Sequence, residues 1–114
     1  MVGAPSDLVN SPRRAEFDEF VYPGTAEGYE ADPERALRTL SALYWPQDMD
    51  PDARLLLLHG ADDERVEVTD SLDLAREWQA LGRPFALRVY EGGSHSLIEH
   101  RADVRKLIDG WFAP

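Results

Sequence analysis

Apolar residues fall in separate blocks along this chain, and each block has its own period. Near the carboxyl end Val104, Leu107, Ile108, Trp111 and Phe112 recur at i, i+3, i+4, i+7 and i+8, the spacing of one helical face. Leu74, Ala75, Trp78 and Leu81 follow a similar rule, with Thr69 or Asp70 placed to cap that helix and Gly82 to end it. Asp32-Pro33-Glu34 reads as an N-cap, a proline at the first helical position and an acid in the first turn. The helix it opens would turn Ala36, Leu37, Leu40, Leu43 and Tyr44 inward and stop near Pro46. Two runs are of a different kind. Arg54-Leu55-Leu56-Leu57-Leu58-His59-Gly60 is short and continuously apolar, as in a strand buried on both faces, and Phe85 to Tyr90 is a second strand.

Strand, helix, strand, helix with short polar loops predicts a βαβα unit with parallel strands, an α/β fold. A further strand stub is expected at Val2-Gly3-Ala4. So few strands leave a long unpaired edge, so the unit is expected to be one end of a larger sheet. Residues 1 to about 32 are rich in Pro, Gly, Asp and Glu with weak periodicity, and read as an irregular or cap-like lead-in to the unit of residues 33–114.

Composition narrows the partners. The 114 residues carry 22 acidic and 12 basic side chains, a net charge of −10, which disfavours nucleic acid and an anionic membrane surface. No cysteine is present, which removes disulfides, thiolate metal sites and thiol nucleophiles together. The longest apolar run, Leu55 to Leu58, is far below the ~20 residues of a membrane span. With no signal-peptide pattern at the start, a cytoplasmic setting is expected. No cofactor is implied, and His59, Asp63 and His95 lack the paired spacing of a zinc site.

In open α/β sheets chemistry gathers at the carboxyl ends of the strands. Two loops lie there: His59-Gly60-Ala61-Asp62-Asp63-Glu64-Arg65-Val66, and Glu91-Gly92-Gly93-Ser94-His95-Ser96. Adjacent parallel strands would set Asp63 beside His95. A carboxylate that fixes one imidazole nitrogen leaves the other free to take a proton from a nucleophile. Each residue also has a plainer reading, Asp63 as a turn cap and His95 as a solvated loop side chain. His59 reads as a structural strand end, and His100 with Glu99 as surface.

The segment Leu55 to Val66, the helix from Ser71 and Val89-Tyr90-Glu91-Gly92-Gly93-Ser94-His95 resemble the end of the α/β-hydrolase fold in prolyl oligopeptidase-like serine peptidases. Ala42-Leu43-Tyr44-Trp45 also resembles that family, and Gly3 to Leu8 resembles the end of the preceding strand. The resemblance implies the C-terminal part of a catalytic domain that cleaves peptide or small ester bonds. It implies Asp63 as the triad acid, because Val66 lies three positions later, and His95 as the base; Asp62 is one place out of register. Ser96 stands where relatives usually carry glycine.

No Gly-x-Ser-x-Gly elbow occurs in these residues, and Ser6, Ser11, Ser41 and Ser94 sit in the wrong contexts for the nucleophile. The chain alone is therefore expected to be inactive unless an upstream segment completes it. The alternative expectation is a non-catalytic module whose exposed sheet edge serves self-association or a partner chain.

Overall fold

A computed structural model describes residues 1–113. The elements, in chain order, are α1 (Arg14–Phe20), α2 (Tyr22–Thr25), α3 (Pro33–Thr39), β1 (Leu55–Gly60), α4 (Val68–Ala80), β2 (Phe85–Tyr90) and α5 (Arg101–Phe112). Short 3-10 turns cover Ala42–Tyr44, Pro46–Asp48 and Ile98–His100. β1 and β2 pair in parallel from Leu55 opposite Phe85 to Gly60 opposite Tyr90. On the other side of β1 a single parallel bridge joins Val2 to Leu58, with Gly3 N–H donating to Leu58 O at 2.8 Å. β1 is thus the central strand, and all six of its residues are buried.

Its two faces bury different helices. Leu55 and Leu57 pack with Leu74, Ala75 and Trp78 of α4, while Leu56 and Leu58 pack with Tyr90, Leu97 and the half-buried face of α5. This explains a strand of leucines. Burial on both faces outweighs their modest strand propensity, since each fully buried side chain contributes about 1.5–3 kcal/mol. Trp78 fills the largest buried volume and donates its indole N–H to Pro84 O at 2.9 Å. Asp32 caps α3 by accepting from Arg35 N–H, and Gly82 takes the left-handed conformation (φ +67°) just past α4.

Several sequence expectations are corrected. α3 ends at Thr39, so Leu40 falls on its cap and is 55% exposed, and Leu43 and Tyr44 lie in the next turn. Leu81 and Phe112 reach solvent for the same reason: each stands where its helix stops. Neither Thr69 nor Asp70 caps α4, whose N-cap is Glu67. Asp70 is drawn away by the lead-in, accepting from Ser6 N–H at 3.0 Å and Asp7 N–H at 3.4 Å. The lead-in also contains α1 and α2, which close a small core of Tyr22, Ala26 and Leu37.

Candidate active site

The loops after β1 and β2 run in backbone contact. Asp62 N–H donates to Gly93 O at 3.0 Å and Ala61 N–H to Tyr90 O at 2.9 Å. A Cβ on Gly60 would lie 2.2 Å from Gly93 O, so only glycine permits this approach. The loops are thereby locked together before any side chain contributes.

Across this seam His95 Nδ1 lies 2.9 Å from Asp63 Oδ2. The Asp63 side chain is fully buried and that of His95 is 38% exposed. Asp63 Oδ1 accepts from Arg65 N–H and Val66 N–H, both at 2.9 Å. The turn-capping reading and the pairing reading are therefore both true, one for each carboxylate oxygen. Burial pushes the Asp63 carboxyl up, but the Val66 and Arg65 amides and the His95 imidazole outweigh it and hold it below the usual carboxylate range. An ionised carboxylate only accepts, so His95 Nδ1 carries the hydrogen, and in the neutral ring Nε2 is the nitrogen with the lone pair. Asp62 is exposed and makes no part of the pair.

Gly3 was not foreseen as part of this geometry. It has φ +52°, and a Cβ there would sit 3.1 Å from Asp63 Oδ2 and 3.2 Å from His95 Nδ1. The strand stub thus ends against the Asp63–His95 bond itself. No local sequence pattern marks such a contact, because it joins residues far apart in the chain, Gly3 with Asp63 and His95.

The His95 loop is held from its other side as well. Ser94 donates both its N–H (3.1 Å) and its hydroxyl (3.0 Å) to Glu99 Oε1. Leu97 is the one non-glycine residue at positive φ among those described (57°), and its side chain is buried with Tyr90 and Leu58. That conformation costs about 1–2 kcal/mol, which the burial offsets. Ser96 is exposed and has no positive φ, so glycine's freedom is not required there. His100, read as surface, stacks beside Tyr90 and approaches Glu91 O at 2.8 Å through Nε2.

His95 borders two hollows. One, of about 330 Å³, has the lead-in for one wall, with Pro5, Leu8, Pro12 and Phe17, and Val66 opposite. Arg13 and Arg65 also line it, as do Glu64, Glu67 and Asp70. The other, about 220 Å³, is lined by Arg65, Ser94, His95 and Ser96. The cap-like reading of the lead-in left this cleft open as an expectation, but its weak periodicity did not show which of its residues would line the wall. Ser6 and Ser41 are buried and bonded to Asp70 O and Leu37 O, while Ser11 reaches the cleft wall. No group of three or more side chains suited to hold a metal ion occurs among the described residues. No helix among them is long and apolar enough to cross a membrane.

A parallel sheet with helices on both faces is the architecture of part of an α/β-hydrolase fold, the fold of a class of serine hydrolases. The sequence pattern of the prolyl oligopeptidase family matches residues 10–113, and the chain belongs to that family. A solved structure described as a truncated form of a carbohydrate esterase from gut microbiota is similar with a TM-score of 0.48 and 23% identity. The similarity covers 57% of this chain and 22% of the esterase chain.

Proposed function

We propose that this chain supplies the acid and the base of a Ser–Asp–His hydrolase acting on peptide or small ester bonds, with the serine carried by a segment outside these residues. The observation that carries the reading is the 2.9 Å contact between buried Asp63 and part-exposed His95, whose Nε2 is left without a partner among the described residues. In the complete site Nε2 takes the serine hydroxyl proton as the oxygen attacks the carbonyl carbon, then gives it to the departing amine or alcohol. Water repeats the cycle to release the acyl group. Asp63 keeps the tautomer and stabilises the imidazolium without taking the proton. The apolar cleft beside His95 accommodates a substrate side chain. On this reading the 114 residues by themselves turn nothing over.

Fluorophosphonate labelling tests it. The isolated chain is expected to take up no probe at any serine, Ser11 included. Joined in one polypeptide to the amino-terminal part of a family catalytic domain bearing the Gly-x-Ser-x-Gly elbow, it should label at the elbow serine. His95→Ala should slow that labelling by on the order of 10⁶-fold, and Asp63→Asn by about 10⁴-fold. Equal labelling in the His95→Ala chimera, or stoichiometric labelling of the isolated chain, sinks the proposal.

A second reading, a binding module, is favoured by one feature. β2 has no strand on its outer side among the described residues, and Phe85 and Val89 are 36% and 40% exposed there.

A further inference from the structure

We infer that His59 is a positioning residue for the catalytic acid, acting through Asp63 on His95; the inference rests on the hydrolase reading above. His59 lies at the end of β1 with no exposed surface, and a buried imidazole must satisfy both of its nitrogens. Nδ1 is 2.6 Å from Ser71 Oγ, and Nε2 is 2.8 Å from Val66 O. A carbonyl only accepts, so Nε2 bears the hydrogen and Nδ1 accepts from the Ser71 hydroxyl. The partners fix the tautomer.

The same Nε2 lies 3.3 Å from Asp63 Oδ2, the oxygen that also receives His95 Nδ1. One carboxylate oxygen therefore sits between two imidazoles. Val66 is held twice: its N–H donates to Asp63 Oδ1 and its carbonyl accepts from His59. A single buried ring thus holds the Val66 end of the turn by a hydrogen bond and lies beside its Asp63 end, and Ser71 on α4 anchors the ring in turn. A histidine kept only for packing could give way to an apolar side chain of similar volume. One whose N–H holds Val66 O could not, because Val66 O would be orphaned and the turn whose amide binds Asp63 Oδ1 would lose its anchor.

The test is proton NMR on the full chain, following the low-field resonance of the His95–Asp63 hydrogen bond, assigned by its absence in His95→Gln. His59→Leu is expected to abolish it as completely as Asp63→Asn does, while circular dichroism stays native. His59→Gln, which restores one donor and one acceptor, should recover it. If His59→Leu does not fold, Ser71→Ala releases only the anchor of the ring and should weaken the resonance. A folded His59→Leu chain with the full resonance, or with His59→Leu unfolded a Ser71→Ala chain indistinguishable from wild type, overturns the proposal. Absence of the resonance from the wild-type chain would instead count against the Asp63–His95 reading, so the two fail separately.

Discussion

One buried carboxylate, Asp63, and one half-buried one, Asp70, respond to pH with opposite sign. For Asp63 the folded-state value is depressed, so its interactions stabilise the fold fully above the unfolded value of ~3.9 and are lost as pH falls through the lower folded value. Burial raises the Asp70 carboxyl despite its two amide donors, so the folded chain carries a cost at neutral pH that is relieved as acid protonates it. Denaturant unfolding at several pH values checks both. Asp63→Asn should lose about 1–3 kcal/mol at pH 7, with the gap to wild type closing below pH ~4. Asp70→Asn should equal or exceed wild type at pH 7 and lose that advantage in acid. A gap constant with pH in both variants contradicts the assignment. At this scale the approach of Asp63 to His95 was legible because their loops follow adjacent parallel strands, while the choice of Asp63 over Asp62 came from the family resemblance. Gly3 was not, and neither was the contact of His59 with Asp63, because a role made by tertiary approach leaves no periodicity to read.

Among the elements, β1, β2, α4 and α5 were legible from period and punctuation, since their apolar residues face packed neighbours. The errors cluster at helix ends, where Leu40, Leu81 and Phe112 continue an apolar pattern past the last turn that packs. α1 was legible only as a surface helix or loop over Glu16–Phe20, because its acids pair locally, Glu16 with Arg13 and Asp18 with Arg14, rather than forming an apolar stripe. α5 carries Gly110 within its last turns, and a Cβ there meets nothing within 4 Å. Glycine inside a helix costs roughly 0.8–1.0 kcal/mol relative to alanine. Gly110→Ala should therefore raise stability in urea unfolding by up to about 1 kcal/mol. A loss instead would mean that another body packs closely against this turn.

For the molecule as a whole, the open flank of β2 separates the two functional readings. A sheet edge with Phe85 and Val89 exposed and only Arg88 as a charged interruption has little to prevent pairing with a second edge. If the chain acts as a binding module by self-association, sedimentation at micromolar concentration should show a dimer that Val89→Lys dissociates. A clean monomer removes that form of the reading and leaves the hydrolase one untouched. The net charge of −10 opposes association, so a real dimer should strengthen with added salt.

The run Leu55 to Leu58, hidden on both faces in the folded chain, has a second consequence before folding is complete. An unfolded chain displays four consecutive uncharged leucines, the kind of segment that nucleates aggregation. Arg54 stands directly before it as a charged gatekeeper, then in the native structure lays its guanidinium over Trp111 at 4.0 Å. One arginine thus guards solubility during folding and closes the end of α5 afterwards. The strand that leads into the site's acid is also the chain's longest uncharged apolar run, shielded once folding is complete.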